Sequence, residues 1–425
     1  MKQPLKLPDS SNAPKSGPGL KQDRNDDLAE VKTQRHESRR QISIWGILTA
    51  ISLLITAAMA LVMAAVAVRF NAGHFWNRDT LEYWAAGKLF VEGGNPYDVA
   101  SIFQLEKSAG SDYAEVAMNP PIILGFVAPL GFFSARGADL LWLMLMLAST
   151  GLSIWILWNL GGRRSWLEQL LCLCFAPIIA CIMIGQSGIF LLLGVMLFLA
   201  FQESRPFFAG LALLVCALKP HLFVPFGIVL LLWVVSRRRY SLLAGFGAGL
   251  LCALAVAYVV DPHAWSQWQQ FMHAARPAET PVQNLSRVFR NVLAKDVSWF
   301  QFVPVAGASV WAIWYFRSRQ ERWNWLDQGL LLLIVSVGCA PYSWLTDEAV
   351  LLPAVIAGVW RASENRRTLL PLVLFLAAPL FQMIRGQWIL GPYFVWTVPA
   401  WFAWYLFATL KRKSALRLET APLSN

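Results

Sequence analysis

The chain has 425 residues, 57% hydrophobic and only 14% charged, with a mean hydropathy of +0.49. Soluble domains hold about 45–50% apolar and about 25% charged residues, so the composition argues against a water-soluble enzyme, a disordered chain or a disulfide-stapled scaffold, and for an all-α polytopic membrane protein. The net charge of +11 suits Lys and Arg in cytoplasmic loops that orient helices and meet anionic membrane lipids; no aromatic–basic motif points to nucleic acid.

Residues 1–43 are rich in Pro, Ser, Asp and Lys, lack apolar periodicity, and are expected to form a disordered cytoplasmic tail ending in Arg35, Arg39 and Arg40. Ile44 to Val68 then gives an apolar run long enough to span a bilayer, a retained anchor rather than a signal peptide. Further apolar runs cover 137–160, 166–184, 187–203, 206–219, 220–236, 241–260, 301–317, 326–343, 348–361, 368–384 and 390–410. If each crosses once, the basic clusters at 163–164, 205, 237–239, 317–322, 361–367 and 411–413 all fall on the side of the N-terminal tail. That gives about 12 transmembrane helices within a 44–410 domain, with both termini inside and 411–425 as a cytoplasmic C-terminal tail. The run after Pro120-Pro121 ends at Phe133, too short to cross comfortably, and is expected to be re-entrant or interfacial. Two large loops, 69–119 and 261–300, then face outward. The first holds seven acidic residues against four basic ones. Smaller outward corners lie at 185–187, 219–221, 344–348 and around Arg385. The six cysteines all fall in apolar runs and read as core residues, not as a disulfide or zinc framework.

Asp79, in HFWNRDTLEYW, is either an ordinary solvated loop acid or a partly desolvated general base. Glu82 would share its helical face. Lys219 lies between two apolar runs beside Pro220 and His221, where it either snorkels to headgroups or binds a phosphate. His221 either orients the same phosphate or merely starts a helix. Asp347 and Glu348 are adjacent carboxylates at a bilayer boundary; they either face water or need a partner such as Lys219 or Arg385. Arg385 breaks the positive-inside trend and is a candidate anion site. Gln186, at a helix break, either caps and packs or offers hydrogen bonds to a ligand. No nucleotide-binding or HExxH string occurs, and His74, Asp79 and Glu82 lack metal-ligand spacing.

In chain order, DTLEYWAAGKLFVEGGNPYD, NPPIILGFVAPLGFF, GQSGIFLLLGVMLFLA, AGLALLVCALKPHLFVPF and CAPYSWLTDEAVLLP resemble glycosyltransferase family 87, the polyprenyl-linked membrane glycosyltransferases that include mycobacterial phosphatidylinositol-mannoside mannosyltransferases. The resemblance implies a C-type glycosyltransferase bundle in a bacterial plasma membrane, with its site in the extracytoplasmic first loop. It implies a polyprenyl-phosphate-linked sugar as donor, mannose-like, and a lipid or glycan as acceptor. Asp79 would be the inverting general base, and Lys219, His221 and Arg385 would hold the donor phosphate. Glu82, Tyr83, Trp84, Gln186, Trp344, Asp347 and Glu348 would contact substrate, with no cofactor and no metal. Thr346-Asp347-Glu348 stands where other members carry two histidines, which keeps a non-catalytic role in view. A lipid or glycan transporter is the competing class.

Overall fold

The computed structural model describes residues 47, 49–63, 65, 79–112, 114–163, 166–275, 284–362, 369–387, 389 and 391–419. The expected N-terminal tail and His74 lie outside them. Every regular element among the described residues is helical. Helix α1 (Thr49–Met63) precedes α2 (Thr80–Glu92) and α3 (Val99–Ser108) of the first loop. The short α4 (Leu124–Val127) leads to the long α5 (Ala135–Leu160), then α6 (Trp166–Leu173) and α7 (Ala176–Ile184). The run expected as one span at 166–184 is divided because Pro177 removes a backbone donor and Phe175 turns to extended φ/ψ. There follow α8 (Gly188–Phe201), α9 (Pro206–Leu213), α10 (Val224–Arg237) and α11 (Tyr240–Val260). The second loop carries α12 (Ala264–Ala275) and α13 (Leu285–Leu293); α14 (Val303–Arg317), α15 (Leu330–Gly338), α16 (Leu352–Ala362), α17 (Leu369–Ile384) and α18 (Thr397–Glu419) complete the bundle. The backbone of α18 stays helical beyond 410, into the stretch expected as a tail, because Lys, Arg, Ala and Leu are all strong helix formers.

Among the described residues, three stretches are long and apolar enough to cross a membrane: α5, Pro220–Arg237 and α11. The other apolar helices are shorter or interrupted, several by 3₁₀ turns such as Leu214–Leu218 and Leu345–Leu351. Helix α11 exposes Leu251, Val256, Tyr258 and Val259, a surface that suits a lipid surround.

Polar contacts sort the connections into two poles. At one, Trp360 donates to Glu168 at 3.1 Å and Arg361 pairs with Asp327 at 2.6 Å. There Arg237 donates to the carbonyls of Gln320 and Glu321, and Arg239 pairs with Glu203. These contacts bring the corners at 203, 237–239, 320–327 and 360–361 together. The opposite pole gathers Asp79, Gln186, Lys219 and Asp347.

The 120–133 stretch begins and ends at this second pole. Asn119 donates to the carbonyl of Leu218 at 2.9 Å, and Trp142, early in α5, donates to the carbonyl of Gly185 at 2.7 Å. Between these points the chain makes three short helical turns, 121–123, 124–127 and 128–132. Its backbone packs directly on α2, where a Cβ on Gly131 would stand 2.6 Å from the Gly87 carbonyl.

Candidate active site

Three helix breaks meet at the start of α2. Gly185 ends α7 with φ +82°, and its amide closes on the Cys181 carbonyl. A Cβ there would lie 2.2 Å from Thr80 Oγ1, so only glycine lets this corner abut α2. The Asp79 amide donates to the Ile184 carbonyl at 2.7 Å, fixing the carboxylate beside the break. Lys219 separates two 3₁₀ turns, Leu214–Leu218 and Pro220–Phe223. The third corner is tied in by Cys181 Sγ, which donates to the Thr346 carbonyl at 3.2 Å.

One hydrogen-bonded line joins the breaks. Gln186 Nε2 donates to Asp79 Oδ2, and Gln186 Oε1 accepts from Lys219 Nζ at 3.0 Å. The same ammonium donates to Asp347 Oδ1 at 2.7 Å, and Asp347 Oδ2 accepts from the Trp344 amide at 3.0 Å. Asp347 is 0% exposed and Lys219 7%. A buried pair needs its remaining polar atoms satisfied, and the Trp344 amide and Gln186 do this. The ammonium has three protons; two are committed, and Lys219 also lines the adjoining cavity.

That cavity has a volume of about 670 Å³, within the usual range for small-ligand sites. Asp79, Glu82, Tyr83 and Glu115 line it together with Trp265, Trp268 and Met272 of α12. Lys219, His221, Tyr342 and Trp344 complete the region near the ion pair. His221 stacks on Tyr342 with ring centroids 4.0 Å apart, and its buried Nε2 has no hydrogen-bond partner. Lys219 Nζ stands 5.8 Å from the Trp344 ring centroid.

The structure brings together Asp79, Glu82, Tyr83, Gln186, Lys219, His221 and Trp344 around this one cavity. Four other expected site residues stand elsewhere. Trp84 is buried with its indole donating to the Phe133 carbonyl at 3.0 Å. Asp347 lies behind Lys219 as its counter-ion. Glu348 turns into the bundle, accepting from Thr397 Oγ1 at 2.6 Å and Trp401 Nε1 at 3.1 Å. Arg385 is exposed in the turn after α17 and does not line the cavity. Sequence reasoning missed Glu115, Asn119, Trp265, Trp268, Met272 and Tyr342. The signal for α12 was its 265, 268, 272 spacing, one stripe of a helix.

Burial pushes the Glu82 carboxyl well above its ordinary value, and the charges of Asp79 and Glu115 push it further, while Lys219 opposes them. The Tyr83 hydroxyl is raised by burial and then by Glu82 and Asp79. Glu106, in the same loop, is pushed up to about 7 by burial. The pole thus holds several carboxyl groups of unequal acidity, with one paired cation beside them.

The search of curated proteins and the search of solved structures returned no match. The sequence profile of Glycosyltransferase family 87 matches residues 118–341, more than half of the chain. That stretch holds Gln186, Lys219, His221 and the α12 wall, with Asp79 before it and Asp347 after it. A membrane-type helical bundle whose three breaks converge on one polar cavity accords with this match, and the chain belongs to glycosyltransferase family 87.

Proposed function

We propose that this membrane glycosyltransferase moves a hexose, mannose-like, from a polyprenyl-phosphate donor to a hydroxyl of a lipid or glycan acceptor. The reaction takes place on the extracytoplasmic face of a bacterial plasma membrane. In this reading the bundle is of the C-type and crosses the bilayer about twelve times, with the basic pole inside. The observation that carries the proposal is the line Asp79–Gln186–Lys219–Asp347, which sets a carboxylate and a cation on the wall of one cavity.

Asp79 takes the proton of the acceptor hydroxyl as its oxygen attacks the anomeric carbon. The new C–O bond forms on the face opposite the breaking C–O–phosphate bond, whose electron pair leaves with polyprenyl phosphate, so the configuration inverts. Lys219 offsets the phosphate charge through its uncommitted proton, and His221 Nε2 offers a second contact. Asp347 is a positioning residue that holds Lys219. Arg385 is not required, because the cavity has its own cation. Glu348 anchors the 345–351 turn to α18.

The test is reconstitution in liposomes with polyprenyl-phosphate-mannose, labelled in the sugar, and the extracted lipids of a deletion strain as acceptor. Release of polyprenyl phosphate, with a product whose anomeric centre is inverted by NMR, is expected. Passage of intact donor across the bilayer without bond cleavage would contradict the proposal, as would retention of configuration.

A further inference from the structure

At the pole where Arg237, Arg239 and Arg361 lie, the ends of α10 and α14 and the 3₁₀ turn Gln320–Arg322 line a depression of about 870 Å³. Among the described residues its wall carries Arg237, Arg317, Arg319 and Arg322 against one acidic residue, Glu321. Two of these arginines build the wall. Arg237 donates to the carbonyls of Gln320 and Glu321, both at 3.0 Å, tying the turn to α10. Arg319 lies 4.3 Å from the Tyr315 ring centroid and donates to Ser318 Oγ at 2.9 Å. The other two are uncommitted: the side chains of Arg317 and Arg322 make no hydrogen bond or ion pair among the described residues. The carboxylates of Glu203 and Asp327 at the same pole are taken by Arg239 and Arg361.

Guanidinium groups bind phosphate through paired N–H···O bonds, so surplus arginine in one depression fits a phosphate ligand. The two helices that end here are apolar and exposed in their last turns. Leu231 and Val235 on α10, and Val310 and Trp314 on α14, are exposed, each pair four residues apart and so on one helical face. Trp314 precedes Arg317 by three residues, the order expected where a span meets the headgroup level. A soluble anion uses the arginines alone. A phospholipid uses both features, its phosphate at the guanidinium groups and its chains along the apolar faces. We propose that this depression binds an anionic phospholipid, its phosphate held by Arg317 and Arg322 and its acyl chains lying on the exposed faces of α10 and α14. A zwitterionic headgroup brings an ammonium that the arginines repel, so a lipid of net negative charge is preferred. The proposal needs this pole to lie at a bilayer surface and is independent of the transfer reaction.

The full-length protein in an uncharged detergent is titrated, by native mass spectrometry, with phosphatidylglycerol, with phosphatidylcholine of the same chains, and with glycerol 3-phosphate. Phosphatidylglycerol is expected to bind more tightly than both. Arg317→Gln combined with Arg322→Gln is expected to weaken its binding about 30-fold, from about fivefold for each arginine lost at a membrane surface, and to leave phosphatidylcholine binding unchanged. Arg205→Gln combined with Arg238→Gln removes the same charge from exposed positions outside the depression. That control is expected to stay within about twofold of wild type, because distant exposed charges are screened. Arg317 and Arg322 are exposed, so their replacement should not unfold the protein; if the helical circular-dichroism signal is lost, each single substitution takes its place, with a loss of about fivefold. Equal affinity for the two phospholipids overturns the proposal, as do equal effects of the two double variants. Glycerol 3-phosphate binding as tightly as phosphatidylglycerol also overturns it, and marks a site for a soluble anion instead. None of these results bears on the Asp79 cavity, so the transfer proposal stands or falls separately.

Discussion

Replacing Lys219 by Met isolates the role of the buried ion pair. The ammonium is 2.7 Å from Asp347 Oδ1, with side-chain exposures of 8% and 0%. At an effective dielectric near 20, such a contact contributes about 6 kcal/mol of gross attraction, much of it offset by desolvation of both ions. Removing one partner leaves the other charge buried, and that costs about 3–5 kcal/mol. Lys219→Met should therefore destabilise the protein by this amount, or by less if Asp347 takes up a proton. Adding Asp347→Asn removes the stranded charge while keeping an acceptor for the Trp344 amide, and should recover at least half of the loss. Denaturant unfolding in detergent, followed by tryptophan fluorescence, gives both numbers. Sugar transfer should stay absent in both variants, because the phosphate cation is gone from both. The reasoning is refuted if Lys219→Met unfolds like wild type, or if the double variant is no more stable than the single one.

Gly185→Ala forces a left-handed residue and a Cβ against Thr80 Oγ1; a loss of about 1–3 kcal/mol and a displaced Asp79 are expected, read as lower stability and lower turnover together. Glu106 titrates near 7 in the fold, above its ordinary value of 4.5, so the folded protein binds the extra proton between those values. Its contribution is complete below about pH 4.5 and is lost as pH rises through about 7. The unfolding free energy should fall over that window in wild type by more than it does in Glu106→Gln, measured by denaturant unfolding at a series of pH values. Glu348→Ala leaves Trp401 Nε1 without its acceptor, while Thr397 Oγ1 keeps the Phe394 carbonyl, and should cost about 1–3 kcal/mol of stability, with the turnover of the folded fraction nearly unchanged.

Long apolar runs made α5 and α11 legible, because twenty or more such residues leave few alternatives to a helix. Charge placement made the corners legible: Gln186, Lys219 and Asp347 lie far apart in sequence, yet each stands at a break opposite the basic loops, and the structure brings them together. The partner expected for the adjacent carboxylates is Lys219 for Asp347, while Glu348 faces the other way. Successive residues of a 3₁₀ turn point about a third of a rotation apart, and no pattern in TDEAV tells which one meets the cation. The 3₁₀ turns were invisible because their apolar composition matches that of the helices they interrupt. The α12 wall was hidden for a different reason: its tryptophans carry a helical stripe, but nothing local ties that stripe to Asp79, which is nearly two hundred residues earlier.

The most direct measurement is the single-turnover rate of sugar transfer by Asp79→Asn in liposomes, compared with wild type at equal folded amounts. Loss of a general base predicts a fall of about 10²–10⁴-fold, with donor binding retained and the unfolding midpoint near that of wild type. An unchanged rate in a folded Asp79→Asn protein would contradict the account at its centre.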